Sequence, residues 1–229
     1  ADAERLARAL ADAGGDTMAR DEVALIRRSA RESRARADLV EAHLAYGRAR
    51  QAFIAERLSD ARTEMDAAAA AFARGGSAYR HWASIYRAIP AWIAGDAGGA
   101  LGQLVSIPID GLPVSYFHLR GRIWWTKAMA LEVLGKFDVA RTALEKARAA
   151  FHSAGELEYE TVNTSYLATI GSFLGESQED LSKAARSCWR SAAREEGDIG
   201  TNGPNKGGGI CERTSPRLAN TYVAIISRR

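Results

Sequence analysis

The sequence predicts an all-α fold, an α-solenoid of antiparallel helix pairs repeating every 40 residues or so. Three observations carry this. Arg122 to Ser153 reads as two amphipathic helices around a tight turn at Gly135-Lys136. Apolar residues recur there at Ile123, Trp124, Ala128, Leu131 and Leu134, then at Val139, Ala140, Ala143, Leu144, Ala147 and Phe151, the spacing that lines one face of a helix. Next, Phe53 to Phe72 superimposes on Glu132 to Phe151 at an offset of 79, which puts Ala61 on Ala140, Ala68 on Ala147 and Phe72 on Phe151. Finally, equivalent turns fall at Glu56, Gly95, Gly135 and Gly175, separated by 39, 40 and 40 residues, with Gly15 a further 41 upstream. A regular period with two helices per unit is the signature of stacked hairpins.

The elements follow from composition and punctuation. No proline precedes Pro90, and the first ninety residues are rich in alanine, leucine, arginine and glutamate, all good helix formers. A first helix is predicted over Ala3–Ala13, ending at Gly14-Gly15. A second starts at Asp16 or Thr17, either of which can cap the free amides of its first turn, and runs to Ser33. A third spans Ala37–Glu56, and a fourth, with Ser59 as its N-cap, runs to Gly75-Gly76. Ser77 caps a fifth to Ala94. The sixth, Asp96 to Ser106, is cut short by Pro108 and Pro113. After the central pair come helices over Glu156–Leu174 and, capped by Ser177, to Arg194. Residues 1–196 thus form a repeat domain of four to five helix pairs. Residues 197–229 form an irregular tail that opens with GDIGTNGPNKGGG, where glycine fills six of thirteen positions.

Composition excludes several function classes. At 47% hydrophobic and 26% charged, with no apolar run near the ~20 residues that span a bilayer, no membrane role is expected. A net charge of +3, from 31 basic and 28 acidic residues mixed along the chain, is too slight for a nucleic-acid footprint. The densest basic run, Arg27 to Arg36, reads as a solvated helix end. Cys188 and Cys211 are the only cysteines, so neither a disulfide framework nor a zinc site is expected, and a cytoplasmic setting fits best. The chain starts without methionine and without an apolar leader, as expected of a processed or excised chain.

Chemistry is sparse. GTNGPNKGGG lacks the order of a phosphate loop, since glycine rather than serine or threonine follows Lys206. His43, His81, His118 and His152 fall on separate helices without HExxH spacing. No histidine follows His152 to activate either cysteine as a nucleophile. Asn163-Thr164-Ser165 matches a glycosylation acceptor but lies on a helix. No catalytic residue, metal site or cofactor is expected.

The central unit resembles a tetratricopeptide repeat, whose signature is Trp, Leu-Gly and Tyr on the first helix, then Ala, Phe and Pro. Trp124, Ala128, Gly135, Ala140 and Ala147 fall on its positions. Lys127, Leu131, Leu144 and His152 depart from it, and the period exceeds the usual ~34 residues. The likeness covers Ala37 to Arg194. Long alanine-rich repeats of this kind are similar to the arrays that precede caspase-like CHAT peptidase domains or signalling ATPase modules in large bacterial proteins. The resemblance implies that the first helices of successive pairs line a concave groove that binds a protein or peptide. Its groove-facing positions are His43, Tyr46, Arg50 and Phe53; Trp82, Ile85, Tyr86 and Trp92; Arg122, Trp125, Met129 and Glu132; and Ser165, Tyr166 and Thr169. Core packing competes for Trp82, Trp92 and Trp124, whereas Trp125, about 100° round the helix from Trp124, should face groove or surface. The expected function is a non-catalytic scaffold for protein–protein contact. Alternatives are a regulatory repeat segment of a larger peptidase or ATPase, and self-association through an uncapped end.

Overall fold

In the computed structural model, residues 2–177 are described, and among them the secondary structure is entirely helical. The helices are α1 (Asp2–Gly14), α2 (Met18–Ser29), α3 (Ser33–Ile54), α4 (Leu58–Arg74), α5 (Tyr79–Ile93), α6 (Ala97–Val105), α7 (Phe117–Val133), α8 (Phe137–Ser153) and α9 (Leu157–Phe173). A 3-10 turn at Ile109–Gly111 separates α6 from α7. Each helix packs on its chain neighbours, and α5 also meets α7, the corresponding helix of the next pair. This is an all-α, solenoid-like arrangement. The helix expected after Ser177 and the glycine-rich tail lie outside the described residues.

The repeat is physical. Gly15, Gly95, Gly135 and Gly175 all have positive φ, between 67° and 92°, and Glu56, which stands where the other turns have glycine, has φ 60°. At four of these turns the backbone closes the same way. The amides of Arg57, Asp96, Lys136 and Glu176 each donate to a carbonyl five residues back, at Ala52, Ala91, Leu131 and Gly171. That bond satisfies a helix-end carbonyl and needs a left-handed residue just before the donor. Seven residues before each turn stand Ala49, Ala88 and Ala128, and five after it Ala61, Ala100 and Ala140, all buried. One helical turn further on, Met65, Leu104 and Leu144 are buried too. Small side chains let the paired helices approach, and the larger residue fills the space beyond them.

Phe72 and Phe151 occupy equivalent positions and are fully buried. A Cβ at Gly121 would lie 2.8 Å from the Phe151 ring, so only glycine lets α7 come this close to α8. Trp124 and Lys127 sit at the outer seam, where the ammonium groups of Lys127 and Lys146 lie over the indole at 5.0 and 4.4 Å.

Several boundaries differ from expectation, among them the starts of α3, at Ser33 rather than Ala37, and of α7, at Phe117 rather than Arg122. α2 ends at Ser29 rather than Ser33, and the break at Ala30–Glu32 falls inside the basic run, whose arginines at 27, 28, 31, 34 and 36 are all exposed. The fourth helix starts one residue before Ser59, which makes no cap. Asp16, Ser77 and Asp96 do cap, accepting from the amides of Met18, Tyr79 and Gly99.

The N-terminal pair departs from the series. Contacts between α2 and α3 are sparse compared with those where later pairs meet. Instead α2 and the residue before it meet α3 at His43, the segment before α5 at Ser77 and the segment before α7 at Ser115. Met18 joins the apolar cluster of Ile85, Leu104 and Leu119, while Leu25 packs against the cluster around Leu39 and Phe72.

Candidate functional site

The face made by the first helices of the pairs encloses a bay of about 540 Å³. Its lining comes from α3 (Tyr46, Arg50), α5 (Tyr79, Trp82, Tyr86), α7 (His118, Arg122) and α9 (Tyr159), while α4, α6 and α8 contribute nothing. The α1–α2 turn, through Gly14, Asp16 and Met18, supplies one wall.

That turn is fastened by polar contacts. Asp16 accepts from the His118 amide at 2.8 Å, and the Thr17 amide donates to the Ser115 carbonyl at 3.1 Å. The hydroxyls of Thr17 and Ser115 are 2.8 Å apart. Deeper along α2, Glu22 is buried at 7% exposure, which is tolerable only because both its oxygens are engaged. One accepts from Ser77 Oγ at 2.7 Å and the other faces His43 Nε2 at 3.1 Å. Asp21 hydrogen-bonds the Tyr116 hydroxyl, whose pKa is pushed up to about 12, first by burial and then by this carboxylate.

The aromatic residues form a continuous set. Tyr46 meets Phe72, Tyr79 and Tyr86 edge-on with centroids about 6 Å apart, and Trp82 stacks on Tyr86 at 6.3 Å. Such pairs hold one another's geometry. Arg50 is exposed, donates to the Tyr86 hydroxyl at 2.8 Å and lies over its ring at 4.8 Å. Burial works to lower its pKa, but Tyr86, Tyr46 and Tyr159 outweigh that and hold it above its ordinary value. Arg122 is buried, with its guanidinium 4.6 Å over Trp125 and 5.1 Å over Tyr159. Among the described residues, neither arginine has a carboxylate within ion-pair distance. Burial pushes the Tyr46 hydroxyl up to about 12. The Glu156 carboxyl is lowered, chiefly by its 2.9 Å contact with His118 Nδ1.

Of the sequence-predicted groove residues, Tyr46, Arg50, Trp82, Tyr86 and Arg122 line the bay. His43 sits beside it, under Glu22. Trp125 and Tyr166 pair edge-on at 6.3 Å, and both are half-buried. Ile85, Met129 and Glu132 are buried, at 0%, 1% and 6% exposure, so none of the three presents to a partner as expected. Ile85 belongs to the core cluster under α5, and for Met129 and Glu132 the reason is that α7 has neighbours on nearly every side and buries ten of its seventeen residues. Trp82, Trp92 and Trp124 are partly buried and pack against the cores. Sequence reasoning missed His118, Tyr159 and the whole α1–α2 wall. The only sequence signal for Tyr159 was its place on a first helix.

No three metal-ligating side chains converge among the described residues, and none of the helices described is long and apolar enough to cross a membrane. No family model matches the chain, and a search of curated proteins returned no match.

Proposed function

We propose that this chain is a non-catalytic, tetratricopeptide-like scaffold whose first-helix face docks a protein or peptide segment. The observation that carries the reading is the joined set of Tyr46, Trp82 and Tyr86, partly exposed, with Tyr46 edge-on to Tyr86 and Trp82 stacked on it, beside the exposed Arg50. Aromatic rings and arginine on a rigid support are the composition that dominates binding energy at protein interfaces, because they bring large contact area at little entropic cost. The all-helical repeat and its left-handed turns support the tetratricopeptide likeness. Trp125 and Tyr166 extend the same kind of surface towards α9.

The test is to pan displayed peptide libraries against the full chain and measure the affinity of the selected sequences for Tyr86→Ala. A loss of about tenfold or more is expected for removing such an anchor. Selected peptides that bind Tyr86→Ala and Tyr46→Ala as tightly as the parent would place docking elsewhere and end this reading.

A further inference from the structure

We infer that the bay takes a small organic anion, a carboxylate carried on a flat apolar body, against the same rings and Arg50 that face a docked segment. The argument does not depend on peptide docking. It starts from charge. Asp16 and Glu156 reach the bay, but Asp16 holds two backbone amides, at 2.9 and 2.8 Å, and Glu156 faces His118. The two guanidiniums are placed differently. Arg50 has only tyrosine partners, and Arg122 rests on ring faces although it is buried at 9% exposure. Neither guanidinium has a carboxylate within ion-pair distance, although Glu156 acts on Arg122 through space.

A guanidinium removed from bulk water favours a carboxylate, which matches its planar fork with two parallel hydrogen bonds. Arg50, Arg122 and Tyr159 all line the bay, and Arg122 lies 5.1 Å over the Tyr159 ring. The remaining walls are flat and apolar, from Trp82, Tyr86, Tyr46 and Met18. The volume, about 540 Å³, falls in the range of small-molecule sites, which runs from roughly 300 to 1,000 Å³. The hairpin closes one side, since a Cβ at Gly14 would lie 2.8 Å from the Ala154 carbonyl oxygen.

The experiment is calorimetric titration of the full chain with benzoate, cinnamate and indole-3-acetate, each against its neutral amide. At least one carboxylate should bind with a Kd of about 1 mM or tighter, and its amide about tenfold more weakly. Arg50→Gln, an exposed substitution that should leave the thermal melt unchanged, should lose about tenfold. Arg122→Lys, which keeps the charge but not the fork, should lose a similar factor. Four results would each overturn the assignment: no carboxylate bound at about 10 mM, amides bound equally well, Arg50→Gln binding like the parent, or inorganic phosphate bound when none of the carboxylates is.

Discussion

The N-terminal hairpin and the pairs that follow it share a turn but not a way of packing. Gly15 takes the same left-handed φ as Glu56, Gly95 and Gly135. Yet seven residues before it and five after stand Arg8 and Arg20, both exposed, where the repeats place buried alanines. The first helix buries Ala7 and Ala11 instead, out of register with the alanines of the repeats. The repeats therefore associate through apolar stripes, while the hairpin lies across the first-helix face and is fastened by Asp16, Thr17, Asp21 and Glu22. Turn geometry alone does not make a repeat. The residues flanking the turn decide what it stacks on.

This contrast can be broken from either side. The largest effect belongs to the repeats: Phe151→Ala removes a fully buried ring wedged against Gly121 and should cost about 3–5 kcal/mol in urea unfolding. A cost under about 1 kcal/mol would mean that the repeats are not held by these stripes. Glu22→Ala strips Ser77 and His43 of their shared partner and should cost about 1–3 kcal/mol, with the loss confined to α1–α2.

Acid should act on the repeats as well. His81 is buried on α5, and burial, then Arg80, lowers its pKa to about 4. Between about pH 6.5 and 4 the unfolded chain takes up this proton and the folded chain does not, so stability falls as pH falls through that window. His81→Gln should flatten the fall, as read from thermal melts at stepped pH. The smallest effect is at Glu56, where replacing a non-glycine residue at φ 60° by glycine should stabilise by about 1 kcal/mol. The opposite change at Gly135, to alanine, should destabilise by a similar amount.

Much of the repeat was readable from residue spacing. The turn series placed even Glu56 correctly, and Asp16 and Ser77 cap as their positions suggested, whereas Ser59 does not. These are local signals, set within a few residues. The bay was half readable, because helical spacing shows which residues share a face but not what else covers it. Met129 and Glu132 were expected on the groove face, but a helix in the middle of a stack has no free face there. The hairpin's position depends on pairs far apart in the chain, such as Thr17 with Ser115 and Glu22 with Ser77, and such polar pairings leave no periodic trace.

The most direct test of the account is native-state hydrogen exchange on the full chain, resolved by helix and compared between wild type and Glu22→Ala. Because polar ties fasten the hairpin and apolar stripes hold the repeats, amides of α1 and α2 should exchange through an opening that leaves α4, α7 and α8 protected. Glu22→Ala should speed exchange in the first two helices alone. Equal protection across α1–α8, with all of it falling together in the variant, would show one cooperative unit and contradict the division drawn here.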